Sequence, residues 1–436
     1  MRGRTLLILL ATFAAAVAFV FWLEPGKLKT EDAAPNGPLL ALDPEHVRSV
    51  AFASASGPAF TIARDPSGLF RLDDGRGLEA DAGRVEGVLS VLRDARVERV
   101  LDDGSDHDAT VYGLAPAERT VRVRTDSAAT TVEVGRASPT GYRRYARVDA
   151  GPVVLVDGAV GTALERAESD YVERRLLPME ASRVRRIEID APPRRIVLDR
   201  AGSEWRIAEP FSDRADLGVA ENLARSMTAM TVEELEAGAA AFTGGWRVRI
   251  EGETGGPARE ARISGERRPD RREVERLPGP VRGRILEAAA RDLERDPEAM
   301  RDTRVTAFSS PDVRAIAWRA GGATVRVSRD GGAGPWTRED ETGAKRPVDA
   351  AAVEGLLDTT RWLRAKGFVP GGPPSTTPLA TLELSGAAGA IDALDFFDGG
   401  DGDTTLVGAR ARPGVASRIS RASYDELAAK ATGLGR

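Results

Sequence analysis

The ten residues ADAGRVEGVL at Ala80–Leu89 return as VDAAAVEGLL at Val348–Leu357, identical at six of ten positions and 268 residues further on. A phrase repeated at that distance implies a unit built more than once, and the flanking residues decide how often. HVRSVAF (His46–Phe52), RVRRIEI (Arg183–Ile189) and DVRAIAW (Asp312–Trp318) share a V-R-x-[VI] core with strand-like alternation. Each is followed by a Gly- or Pro-containing turn and one large aromatic, at Phe70, Trp205 and Trp336, which predicts a hairpin. Val50 to Ile316 and Phe70 to Trp336 are both 266 residues. The unit therefore occurs three times.

The opening phrase is a helix. Asp81 and Asp349 stand where an N-cap accepts a free backbone amide. Behind Asp81, Val85, Val88, Leu89 and Leu92 fall on one stripe, matched by Val353, Leu356, Leu357 and Thr360. The middle copy, DLGVAENLARSMTAM, offers Asp216 as cap and Leu223, Met227 and Met230 on the stripe. Glu86 and Glu354 match each other but lie off the stripe, as solvated helix residues do. Further alternating segments follow in every copy, then a closing helix. The linking phrase also repeats, Glu165–Arg185 matching Glu294–Arg314 at an offset of 129, with Arg175 against Arg304 and Met179 against Phe308. The expected fold class is α+β: three repeated modules of β-hairpin, helix, antiparallel sheet and helix, at residues 40–177, 178–302 and 303–436.

Ahead of the modules, Arg2 and Arg4 precede Thr5–Leu23, nineteen residues without a charge. At about 1.5 Å per residue such a helix spans roughly 28 Å, close to the hydrocarbon thickness of a bilayer. Trp22 suits an interface, and Glu24-Pro25 ends the run. The reading is a cytoplasmic stub at 1–4, a transmembrane anchor at 5–23 that makes the inner membrane a partner, a polar tether at 24–39, and a periplasmic remainder. A cleaved signal peptide competes, but the apolar run is long for one and no A-x-A site follows Trp22.

Chemistry is sparsely signposted. No cysteine is present, which removes disulfides, thiolate nucleophiles and zinc-thiolate sites. The net charge of −5 argues against a nucleic-acid partner, which would demand a basic face. His46 and His107 are the only histidines, so histidine catalysis and multi-histidine metal sites have little to build on. Two acidic loops raise the thought of a hard cation: residues 102–108, with Asp102, Asp103, Asp106 and Asp108, and residues 395–403, with Asp395, Asp398, Asp401 and Asp403. Repeat position makes the second a polar hairpin tip. The arginine-rich stretch Gly265–Arg284 aligns with a hairpin of the first copy and is expected to be a solvated strand face. No catalytic, cofactor-binding or metal-ligating residue is assigned.

Taken in order, several phrases resemble one family, the bacterial domain-of-unknown-function 4340 proteins. They are the anchor, LDPEHVRSVAF with its G-x-[FW] hairpin, the ADAGRVEGVLSVLRDARVERVL helix, VYGL at Val111–Leu114, VEVGRASPTGYRRYARVD and ERRLLPMEASRVRRI. The resemblance implies an envelope-facing accessory protein of an ABC transport system of the gliding-motility type, with a permease or its auxiliary subunit as partner. It carries no catalytic residues. The expectation is a non-enzymatic accessory or scaffold component; the alternative is an envelope polysaccharide-binding protein or a hydrolase working through paired carboxylates.

Overall fold

Strands that alternate apolar and charged residues make an antiparallel sheet with one face to bury, and the fold solves that problem three times. The computed structural model describes residues 37–435, apart from 103–108, 140, 150, 234, 238–243, 254–255, 267–269, 278–280, 333 and 340–343. The chain divides into two compact units, Met1–Arg174 and Arg175–Arg436. The first holds one large sheet and the second holds two.

The first sheet comprises β1 (Val47–Ser54), β2 (Gly57–Arg64), β3 (Phe70–Leu72), β4 (Arg99–Asp102), β5 (Arg119–Thr125), β6 (Ala129–Ala137), β7 (Arg143–Val148) and β8 (Val153–Asp157). Their spatial order is β3-β2-β1-β5-β6-β7-β8-β4. Helix α1 (Ala82–Asp94) leaves β3 at one edge and delivers the chain to β4 at the other, so it must cross a whole face of the sheet. That face carries Val50, Phe52, Ile62, Val121, Val123, Val132 and Val134, all buried, and α1 turns Val85, Val88, Leu89 and Leu92 inward. The opposite face is left to solvent.

The second and third sheets repeat this topology, each with nine strands. The extra strands are short edge pieces just ahead of the crossing helix, Asp213–Arg214 and Lys345–Pro347. The crossing helices are Leu217–Ala229 and Ala350–Arg361, capped by Asp216 and Asp349, whose side chains accept the amides of Val219 and Ala351. Phe70, Trp205 and Trp336 are buried at the equivalent strand starts. Asp349→Ala removes one such cap and is expected to cost about 1 kcal/mol, read as a lowered urea midpoint at unchanged slope.

The α+β expectation is corrected. Strand accounts for 44% of the structure and helix for 22%, so the chain is mostly β, built on three large antiparallel sheets. Two causes are visible. The hairpin and the later strands, expected as separate parts, are one sheet, because β1 pairs with β5 from Val47↔Thr125 to Ser54↔Arg119. The closing helices also shrink in two copies: α2 (Gly158–Ala163) has six residues, and the middle copy has the four residues Glu287–Ala290 before a 3-10 turn. Only Arg421–Gly433 in the third copy is long. Among the described residues no helix is long and apolar enough to cross a membrane. The expected anchor at 5–23 lies outside the described residues. The end of the expected tether does not hang free: Leu39 donates its amide to Ala95 O at 2.8 Å and is buried.

Candidate functional site

The most densely built polar constellation lies in the second unit, where the second sheet meets the third. Its centre is Asp213, on the short edge strand before the second crossing helix, with a side chain 0% exposed. Arg412, in the turn between strands Thr404–Ala409 and Ala416–Ser420 of the third sheet, grips it with both arms of its fork. Nε lies 2.5 Å from Oδ1 and Nη2 lies 2.7 Å from Oδ2. Arg301 donates Nε to Oδ2 at 2.6 Å, and the Arg214 amide donates to Oδ1 at 2.8 Å. Four donors thus saturate one carboxylate.

The flanks are as carefully filled. The Arg301 guanidinium lies between two rings, 4.3 Å from Phe211 and 4.0 Å from Phe368, and Arg412 shares Phe368 at 4.6 Å. Arg412 Nη1 and Arg214 Nη2 both donate to the Arg304 carbonyl, at 3.1 and 2.7 Å. Asp302, also buried, pairs with Arg304 at 2.9 Å. Nearby, the buried Asp392 accepts Thr306 Oγ1 at 2.5 Å and the amides of Ala393 and Ala411 at 2.8 and 3.0 Å.

Burial alone pushes the Asp213 carboxyl up. The Arg412 and Arg301 guanidiniums outweigh it and hold the group below its ordinary value. A carboxylate kept ionised with every lone pair occupied has none left for a substrate proton or a metal. The cluster is a clamp.

Backbone continuity puts the clamp where it is. The segment Met300–Val305 bridges to the start of the second crossing helix, Asp216 N donating to Met300 O and Asp302 N to Arg214 O. It then reaches the end of the third crossing helix, where Val305 N donates to Leu363 O and Ala365 N to Thr303 O. This strap ties two modules through main-chain bonds, and Arg301 rides on it. In the first unit Val172 bridges to Ala80 as Arg301 bridges to Ala215, so Val172 and Arg301 are equivalent positions. Leu78, buried, is likewise the equivalent of Asp213.

The residues singled out from the sequence are placed elsewhere. His46 ends an exposed 3-10 turn with Nδ1 2.9 Å from Asp43. His107 and the heart of the 102–108 loop lie outside the described residues. Asp398, Asp401 and Asp403 sit at a hairpin tip, where Asp401 accepts the Thr404 hydroxyl and the amides of Thr404 and Asp403. The Thr404 hydroxyl, with those amides, holds Asp401 below the usual carboxylate range. Asp395 sits apart on its strand, accepting Thr381 Oγ1 at 2.8 Å. Among the described residues no group of three His, Asp or Glu could hold a metal ion.

One expectation about the arginine-rich stretch needs correcting. Arg272 does not face solvent: its side chain is fully buried, held by Glu287 at 2.6 and 2.8 Å and Glu294 at 2.7 Å, over the Trp246 ring. Arg276 is buried too, donating to the Arg175 carbonyl. For Arg272, acids spaced to receive it, Glu287 and Glu294, were the available sign.

Fold and clamp together define a repeat protein of three antiparallel sheets, each crossed by one capped helix, with buried arginine–carboxylate links in its second unit. Residues 71–242 match the family model described as "Domain of unknown function (DUF4340)", which places that stretch of the chain in the DUF4340 family. The match starts in β3 of the first sheet and ends beyond the second crossing helix. No curated protein matches the chain.

Proposed function

We propose that the protein is a non-enzymatic accessory or scaffold component of an ABC-type transport system, anchored in the inner membrane through Thr5–Leu23 and facing the periplasm. The observation that carries this reading is the saturation of two buried acids, Asp213 and Asp392. Asp213 is filled by four donors and Asp392 by three, so these buried carboxylates serve rigidity. The apolar run in the sequence and the family resemblance support the location and the kind of partner. A permease or its auxiliary subunit is the binding partner under this reading, and the gliding-motility type of transporter is its most specific form.

Complementation of a deletion strain tests it. Asp395→Ala and Asp401→Ala are expected to restore function, whereas a form lacking residues 1–23 fails because it loses the local concentration that anchoring gives toward a membrane partner. A pull-down from detergent-solubilised membranes is expected to recover transporter subunits. A folded, membrane-bound carboxylate variant without function would mean that the hydrolase alternative is correct.

A further inference from the structure

The solvent faces of the three sheets are not equivalent, and strand register shows where they differ. In the second sheet, strands Arg186–Ala191 and Trp246–Glu251 place Glu188 opposite Arg249 and Asp190 opposite Arg247. The arginines are compensated there: Arg247 pairs with Glu260 at 3.2 Å, and Arg249 with Glu251 at 2.6 Å. In the third sheet Glu383 takes the position of Arg249, and Arg319 binds it through two bonds of 2.7 and 3.0 Å. Positive and negative charges are matched on both central strand pairs.

The first sheet breaks this pattern. Its central pair sets Ala51 opposite Arg122 and Ser49 opposite Arg124. On the other side of β5 the neighbours are Thr131 and Ala129. Where the second sheet supplies Glu188, the first supplies a methyl group. Both arginines are exposed, and among the described residues neither has a carboxylate or side-chain hydrogen-bond partner. The nearest acid lining the same space, Asp126, is paired with Arg48. Glu133, one pleat further along β6, is bound to Arg147 at 2.6 Å. The small side chains Ser49 and Ala51 leave a groove of about 580 Å³ beside the two guanidiniums, ending at the turn Thr125–Ala129 with its hydroxyls. That volume is within the usual range for small-molecule sites, roughly 300–1,000 Å³.

We infer that this groove binds a hydroxyl-rich ligand carrying two anionic groups, an acidic or phosphorylated sugar unit. Arg122 and Arg124 are two residues apart on one strand, so their stems are about 6.8 Å apart on one face. Each guanidinium presents a planar fork suited to a carboxylate or phosphate. Two unpaired forks side by side repel each other, and a dianion resolves that repulsion in the way Glu251 and Glu260 do for Arg249 and Arg247 on the second sheet. The site lies wholly within the first unit and does not depend on the scaffold reading, so a failed binding assay and a failed complementation are separate results.

Calorimetric titration of the full chain in non-ionic detergent at low salt tests the inference with three probes: a galacturonate trimer, a hexose bisphosphate and neutral maltotriose. At least one acidic probe is expected to bind, and maltotriose is not. Whichever acidic probe binds tells whether the ligand's charge is carboxylate or phosphate. Arg122→Ser/Arg124→Ser is expected to weaken binding by about tenfold or more, a loss of roughly 1.4 kcal/mol or above. Ala51→Glu removes no arginine but supplies the carboxylate that the second sheet carries at this position, and it is expected to do the same. Arg249→Ser on the second sheet should leave binding unchanged. Circular dichroism establishes that each variant is folded. Absence of binding by both acidic probes, equal binding of maltotriose, or binding that survives Ala51→Glu and the double substitution would each overturn the inference.

Discussion

Asp213→Ala is expected to destabilise the second unit by about 3–5 kcal/mol, the cost of stranding buried charge. The arginines it leaves behind cannot reach water: the side chains of Arg301 and Arg412 are 8% and 2% exposed. Arg301 keeps Glu298 as a partner, but among the described residues Arg412 keeps only the Arg304 carbonyl and the Phe368 ring, with no carboxylate. The loss comes from orphaned guanidiniums, so removing them as well should recover much of it. A triple variant, Asp213→Leu with Arg301→Val and Arg412→Met, is expected to be far more stable than Asp213→Ala alone, since well-packed apolar replacements of buried ion pairs are often neutral or better. The first unit already uses that solution, with Leu78 and Val172 at two of these positions. Urea unfolding of the wild type, Asp213→Ala and the triple variant decides it, and a triple variant no better than the single would show that the charges do more than neutralise each other.

The same carboxylate sets an acid limit. The Asp213 pKa is depressed in the folded state, below the ordinary 3.8. The unfolded chain therefore takes up the proton first as pH falls. The stabilisation is fully present above the ordinary carboxylate value and is lost as pH drops through the folded one. Asp213→Asn should flatten the dependence of stability on pH below about 4, with little change in its slope near neutrality.

Trp205→Ala is the second large effect. Trp205 is 1% exposed and packs within the cluster of Ile187, Ile196, Ile207 and Met227 at the heart of the second sheet. Truncating a buried indole leaves a cavity that its neighbours fill only in part, at a cost of about 3–5 kcal/mol. Its Nε1 is buried without a hydrogen-bond partner, so Trp205→Phe removes a polar penalty while keeping most of the ring. The expected order of urea midpoints is wild type and Trp205→Phe close together, with Trp205→Ala well below. A Trp205→Ala midpoint near wild type would mean that the aromatic is not what holds the hairpin to its helix.

What could be read from the sequence was local. The aspartate caps, the helix stripes and the buried aromatics after each turn depend on residues a few positions apart, and Asp81, Asp216 and Asp349 each accept the amide that the pattern implied. The single continuous sheet was not legible, because β1 pairs with β5 across some 70 residues and alternation does not name its partner. The clamp was hidden for a related reason. Asp213, Arg301 and Arg412 belong to stretches crowded with charge, where a solvated residue and a buried ion pair look alike. What distinguished Arg301 was the comparison between copies, since Val172 stands in its place in the first. The unmatched pair Arg122 and Arg124 likewise became visible only once register set them opposite Ala51 and Ser49.

The clamp also imposes an order of events on a chain emerging from the ribosome. Asp213 and Arg412 are 199 residues apart. At roughly 5–20 residues per second, synthesis takes about 10–40 s to supply the second partner. Once Arg301 has been made, 88 residues after Asp213, the middle module has its sheet, its helix and Arg301, but Asp213 has not yet gained its forked partner and the site has not closed. The first module has no such debt, with leucine and valine in the corresponding places. Nascent chains arrested before Arg412 should therefore contain a protease-resistant first unit followed by a middle module that is cleaved far more readily than in the finished protein.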